Sequence, residues 1–194
     1  MRSTDTRVDV ARQRPKADFS KRGQPVVRYS WLMTPVGRLF VGLSDHGVCD
    51  VTFGDPDEDV YRARLLERVP AVSRDPLVLE PVLTELDAYF QGRLERFTCA
   101  VDLRGVTEFT RSVLRSTQRI RFGQLLSYGD VARRVGSPRA SRAVGGALGR
   151  NPVPIVVPCH RVVARGGRLG GFTGGLGVKR ALLRIEGHPE SLTA

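Results

Sequence analysis

The segment from Ile155 to Val163 reads Ile-Val-Val-Pro-Cys-His-Arg-Val-Val, a cysteine and a histidine side by side between two β-branched runs. Such runs favour extended, half-buried or buried backbone. The rest of the chain must therefore be built around this segment, which reads as a strand carrying Cys159. The pairing also locates the chemistry. A thiol is a useful nucleophile only as thiolate, and a neighbouring imidazole is one of the few groups that draws its proton near neutral pH. A free cysteine packed as a small hydrophobe is the alternative, and the surroundings of Cys159 decide between the two.

With 194 residues the chain suits one or two compact domains. No apolar run approaches the roughly 18 residues of a membrane helix, and the N-terminus lacks the hydrophobic centre of a secretion signal, so a cytoplasmic location is expected. Cys49, Cys99 and Cys159 are too widely spaced for a disulfide framework. His46 and Cys49 have no second ligand pair to complete a zinc site, so neither metal nor cofactor is expected. Charge is unevenly spread: residues 1–25 carry seven basic and three acidic side chains, residues 26–105 nine and thirteen, residues 106–194 fifteen and four. An acidic middle beside a basic end points to a polyanionic partner for the last segment. Most of those cations are arginine, which suits bidentate phosphate contacts.

Residues 1–25 are polar and aperiodic and read as a disordered basic tail. From Val26 to Phe53 three apolar runs are separated by Thr34-Pro35-Val36-Gly37 and Ser44-Asp45-His46-Gly47, turn clusters that predict an antiparallel meander. Helices are expected over 59–68 and over 81–90, the latter with Pro81 in its first turn and Gly92 just past its end. Residues 97–103 read as a further strand. The acidic residues of this half show no ordered ligand pattern, and no catalytic residue is assigned to it.

A linker near Arg104-Gly105 divides this α/β domain, residues 26–104, from a mainly helical one, residues 105–194, an α+β chain overall. Residues 108–118 are helical, with Phe109, Val113 and Leu114 on one side. Ser127-Tyr128-Gly129-Asp130 has the spacing of an N-cap with an acidic partner three residues on, and Gly136 ends that helix. Ser137-Pro138 is expected to cap a following helix over 139–148, completing a helix-turn-helix. That second helix is rich in small residues: Ala140, Ala143, Gly145, Gly146 and Ala147. A mid-helix glycine costs about 1 kcal/mol against alanine, so a close approach, to a partner or to the core, must favour them.

Several ordered blocks resemble the O6-alkylguanine-DNA alkyltransferases. They are Arg142-Ala143-Val144-Gly145-Gly146-Ala147, Asn151-Pro152-Val153-Pro154-Ile155, Pro158-Cys159-His160-Arg161-Val162, Gly174-Gly175-Leu176 to Lys179, and Leu182-Leu183 to Glu186-Gly187. The likeness is close over the C-terminal half and looser from about Val26. It implies a ribonuclease H-like N-terminal domain and a winged helix-turn-helix-type C-terminal domain holding the active-site cysteine. It further implies docking in the minor groove, where a slim helix face is needed because the groove is only ~6 Å wide.

Carried over residue by residue, the resemblance makes Cys159 the nucleophile, His160 its base and Glu186 the group that orients the imidazole. Asn151 matches a hinge that ties its turn to the active-site backbone. Tyr128 matches a tyrosine that helps rotate the target nucleotide and donates a proton to the leaving guanine. Arg142 matches an arginine that fills the stack when the base flips out; Ala143, Gly145 and Gly146 share its helix. Arg111, Arg115 and Arg139 are candidate phosphate contacts. Val162, Gly171, Phe172 and Thr173 are expected to line the pocket. The implied partner is double-stranded DNA containing O6-alkylguanine, met at the nucleoid, with no membrane and no obligate protein partner; O4-alkylthymine and cooperative assembly on DNA stay open. The implied reaction is irreversible transfer to Cys159, once per molecule.

Three positions depart from the family pattern: Phe172 stands for a usual tyrosine, Leu114 for a frequent tryptophan, Arg121 for a frequent proline. Two other readings remain: a non-catalytic sensor of alkylated DNA, which Cys159 argues against, and a cysteine hydrolase using Cys159, His160 and Glu186 on a small substrate.

Overall fold

The computed structural model describes residues 26–54 and 57–188; the tail expected over residues 1–25 lies outside them. The meander forms where the turn clusters require it. β1 (Val26–Thr34), β2 (Gly37–Ser44) and β3 (Gly47–Phe53) are antiparallel neighbours, with Thr34 facing Gly37 and Ser44 facing Gly47. Thr34 Oγ1 accepts from Val36 N and Ser44 Oγ from His46 N, closing each turn locally. Gly47 has φ +129°, and a Cβ there would lie 2.4 Å from Ala100 O, so only glycine fits. β4 (Ala71–Arg74), which no sequence signal marks, adds in parallel to β1 and gives the order β3-β2-β1-β4.

Two helices accompany the sheet. α1 (Glu58–Leu66) lies close to expectation. α2 (Pro76–Phe90) begins earlier than expected: Asp75 accepts from Val78 N, Pro76 is the first-turn proline, and Pro81 sits inside the helix. Proline there forfeits a helical hydrogen bond, but the helix buries Leu79, Val82, Leu86, Tyr89 and Phe90, and that face outweighs the loss. The strand expected over 97–103 does not form. Val48 N donates to Ala100 O at 2.8 Å and Asp102 N to Val48 O at 2.9 Å, a single bridge. Beyond it the Asp102 carboxylate turns the chain by accepting from Arg104 N and from Ser44 Oγ.

In the second half α3 (Glu108–Gln118) buries Val113 and Leu114 while Phe109 stays exposed. β5 (Leu126–Ser127) leads into α4 (Tyr128–Arg134), whose capping box between Ser127 and Asp130 is complete, and Gly136 follows with φ +74°. α5 (Ser141–Gly149) starts later than expected. Ala140 N donates to Ser137 O, so Ser137-Pro138 make a turn in place of a cap, and Arg139 lies in it. β6 (Val162–Val163) pairs in parallel with β5, and α6 (Gly175–Ile185) closes the described chain.

The Cys159 segment is not a strand. Cys159–Arg161 is a turn of 3₁₀-helix, preceded by Ile155 at φ +74°. Pro158 has no N–H for a ladder, and Cys159 N turns back to Val157 O at 2.8 Å. One apolar core then runs through both halves, from Leu39, Val41 and Val51 on the sheet through Leu86 and Tyr89 of α2 to Leu114, Val144, Val157 and Leu182. Val51 N donates to Pro152 O at 2.7 Å across the junction. The interior is thus continuous across the Arg104-Gly105 linker.

Candidate active site

Cys159 opens its 3₁₀ turn in the interior, held by Asn151 just beyond α5. Asn151 Nδ2 donates to Val157 O at 2.9 Å and to Cys159 Sγ at 3.2 Å, and its Oδ1 accepts from Val153 N at 3.1 Å. One amide thus closes the loop between helix and cysteine. Burial pushes the Cys159 thiol up to about 11, against the opposing pull of the Asn151 N–H and the Lys179 charge. At neutral pH it rests as a thiol and needs a base.

His160 is fully buried. Its Nε2 lies 2.8 Å from Glu186 Oε1, and its Nδ1 meets no hydrogen-bond partner among the described residues. Burial alone would raise the Glu186 carboxyl, but the hydrogen bonds from His160 and Arg161 prevail and hold it at about 2. An ionised Glu186 requires the proton on Nε2, which leaves the lone pair on Nδ1. Burial lowers the imidazole below its usual range, with Glu186 pulling the other way.

Glu186 ends α6 inside the protein, where it accepts from several donors. Arg161 Nε reaches Oε2 at 2.8 Å and Arg161 Nη2 reaches Oε1 at 2.9 Å; Gly123 N lies 3.3 Å from Oε2. Tyr89 Oη donates to Oε1 at 2.8 Å and sits 3.3 Å from His160 Nε2. Tyr89 comes from α2, in the half to which the sequence assigned no catalytic residue, and brings that half into hydrogen-bond contact with Glu186.

A cavity of about 370 Å³ opens before Cys159, lined by Tyr128, Gly145, Leu148, Gly149, Gly171, Phe172 and Thr173. Gly170 has φ +64°, and a Cβ on it would lie 2.7 Å from Tyr128 Oη, so the loop passes the ring only as glycine. Phe172 packs against Phe53 at 5.6 Å and edge-on to His160 at 6.3 Å. Lys179 Nζ, buried, donates to Val162 O at 2.7 Å and to Leu169 O, joining the Cys159 turn to the glycine loop; burial lowers it to about 8. Val162, expected in the pocket, lies fully buried outside its lining with its carbonyl on Lys179.

On α5, Arg142, Ala143 and Gly146 are exposed and Gly145 is half-buried. A Cβ on Gly145 would approach Tyr128 no nearer than 3.8 Å, and one on Gly146 would approach Arg150 no nearer than 3.6 Å. Packing inside the protein therefore does not demand these glycines. Arg139 is exposed in the preceding turn. Arg111 is not available as expected: its guanidinium bonds Leu103 O, Val106 O and Glu108, because it clamps the linker entering α3. Arg115 lines a different cleft.

Sequence reasoning missed Tyr89, Arg161 and Lys179 as members of this cluster. Tyr89 reads as one more core aromatic of α2. Lys179 did carry a signal: it is the only lysine after residue 21, in a chain that otherwise uses arginine. A compact ammonium with three donors fits between converging carbonyls where a planar guanidinium does not.

Two family domains match the chain: "6-O-methylguanine DNA methyltransferase, ribonuclease-like domain" over residues 27–103 and "6-O-methylguanine DNA methyltransferase, DNA binding domain" over residues 108–188. They define the class, a ribonuclease-like half joined to a DNA-binding half with a buried cysteine. The chain is 38% identical over 170 residues to a methylated-DNA–protein-cysteine methyltransferase of Mycolicibacterium paratuberculosis, covering 87% of this chain and 98% of that one. It is 36% identical over 162 residues to the protein of that name from Haemophilus influenzae, covering 83% and 87%. Among solved structures, Mycobacterium tuberculosis OGT in complex with DNA superposes with a TM-score of 0.72 at 34% identity, covering 86% of this chain and 95% of that one. The chain belongs to the 6-O-methylguanine DNA methyltransferase family.

Proposed function

We propose that the protein repairs DNA by taking the alkyl group of O6-alkylguanine onto Cys159. The observation that carries this reading is a buried thiol with an amide, an imidazole and a carboxylate ranged behind it, opening into a pocket beneath a small-residue helix face. The exposed face of α5 enters the minor groove, Arg142 takes the place of the target nucleotide in the stack, and the base enters the pocket between Tyr128 and the loop of Gly171, Phe172 and Thr173.

His160 Nδ1 then accepts the Cys159 proton, directly or through one water, and Glu186 stabilises the imidazolium. The thiolate attacks the alkyl carbon, the S–C bond forms and the C–O6 bond breaks. Its electron pair stays on guanine O6 as a proton reaches the base. Burial raises the Tyr128 phenol, so it remains protonated and able to donate. A thioether offers water no acyl carbon to attack, so each molecule acts once. The cysteine hydrolase reading leaves the exposed glycine face of α5 without a purpose.

The test is intact mass before and after mixing the protein with duplex DNA holding a single O6-methylguanine, followed by peptide mapping. The expected result is a gain of one methyl group on the Cys159 peptide, saturating at one per molecule. Unchanged mass with tight lesion binding would leave a damage sensor. Unchanged mass without binding would return the hydrolase.

A further inference from the structure

We infer that a second cleft, beside the Cys159 turn, docks the phosphodiester backbone of a DNA segment other than the one being repaired. The cleft has a volume of about 690 Å³ and shares no lining residue with the pocket before Cys159. Four arginines converge on it from three segments: Arg96 after α2, Arg115 and Arg119 at the end of α3, and Arg121 in the following loop. All four are exposed, and none of their guanidiniums has an ion pair or hydrogen bond among the described residues. Glu95 is the only carboxylate in the lining.

That lack of partners separates these side chains from most arginines elsewhere. Arg28, Arg62, Arg64, Arg68, Arg74, Arg93 and Arg104 in the N-terminal half each lie within 4.0 Å of a carboxylate. Arg142 and Arg139, on the face proposed for the lesion duplex, share the unpaired state of the cleft arginines among the described residues. Like charges gathered in a concave surface focus an attractive field on anions. Four guanidiniums exceed what one phosphate ion neutralises, whereas a nucleic-acid backbone supplies one charge per nucleotide and suits bidentate arginine. Arg161 also lines the cleft, but its charge is spent on Glu186. The protein would then hold two DNA segments at once and pass between them without release. This rests on the repair reading above, which puts DNA at the other face.

The test uses full-length protein and the variant Arg96→Glu/Arg119→Glu, both exposed positions outside the lining of the pocket before Cys159. Retention of a fluorescent undamaged duplex on beads that carry a second duplex reports bridging. Methyl transfer to Cys159 from a short lesion duplex is measured in parallel. Wild type should bridge, and the variant should bridge about tenfold less while transferring at the wild-type rate. The salt slope for the second duplex should fall by about 0.9 for each phosphate that the variant leaves unneutralised. Equal bridging by both proteins, or none by either, would overturn the proposal. Loss of methyl transfer in the variant would assign these arginines to the lesion site and also overturn it. Release of the second duplex by inorganic phosphate, but not by chloride at equal ionic strength, would reduce the cleft to a small-anion site. If wild type bridges through these arginines yet transfers no methyl group, the repair reading fails and the cleft stands.

Discussion

Tyr89 Oη lies 2.8 Å from Glu186 Oε1, joining the helix that covers the N-terminal sheet to the carboxylate at the end of the last helix across 97 positions of sequence. The N-terminal half thereby touches the carboxylate that also bonds His160, the residue next to Cys159. A hydrogen bond to a charged group contributes about 1.5–3 kcal/mol, enough to affect both stability and proton affinity at the site.

Replacing Tyr89 with Phe keeps the ring and removes that donor. Stability should fall by about 1.5–3 kcal/mol, measured by denaturant unfolding. A Glu186 with one donor fewer is more basic and holds imidazolium more firmly. The low-pH loss of the methyl-transfer rate should therefore move to higher pH, with DNA affinity unchanged. A variant that loses stability but keeps the wild-type pH profile would make Tyr89 a packing residue only.

Two acid transitions should separate in the wild type. With neutral His160 as the proposed base, burial lowers its pKa from the ordinary 6.5, so the midpoint of the acid decline in transfer rate should lie below pH 6.5. Glu186 titrates near 2 in the fold against an ordinary 4.5. Its contribution to stability is thus fully present above 4.5 and lost as pH falls from there toward 2. Single-turnover rates and circular dichroism over one pH series check both, with activity failing before the fold.

Asn151→Ala should be costly twice over. It orphans Val153 N, at about 1–3 kcal/mol, leaves Val157 O with the Cys159 N–H alone, and removes the N–H on Cys159 Sγ that holds the thiol down. Labelling of the Cys159 peptide by iodoacetamide against pH should shift to higher pH, and methyl transfer should slow. Unaltered labelling would mean that the amide serves the loop alone.

Gly146→Ala tests why α5 is slim. A Cβ there meets only Arg150 Nη1 at 3.6 Å and Nη2 at 4.0 Å, so the free protein should gain up to about 1 kcal/mol of stability. Affinity for duplex DNA should fall, because the methyl projects from the docking face. Stabilisation without loss of affinity would remove α5 from the interface.

Legibility followed the range of the interactions. The β1–β2–β3 meander, the bounds of α3 and the capping box of α4 are all readable in the chain, since each rests on residues within a few positions of one another. The strand expected over 97–103 fails because one bridge to Val48 ends where Asp102 turns to Arg104. Helix α2 starts ahead of Pro81 because Asp75-Pro76 already supply its cap and its first-turn proline. Arg111 looks like a surface cation by its place on α3, yet its guanidinium finds two backbone carbonyls in the linker.

The sequence by itself determined the cysteine–histidine pairing, the helix-turn-helix and the family likeness, because adjacent residues and short spacings carry those. Only the tertiary structure decided which groups share the buried charge of Glu186. Tyr89, Arg161 and Gly123 reach that carboxylate from three separate segments. An ionised group inside a protein must collect donors from wherever the packed chain supplies them, and no local pattern records where those will be.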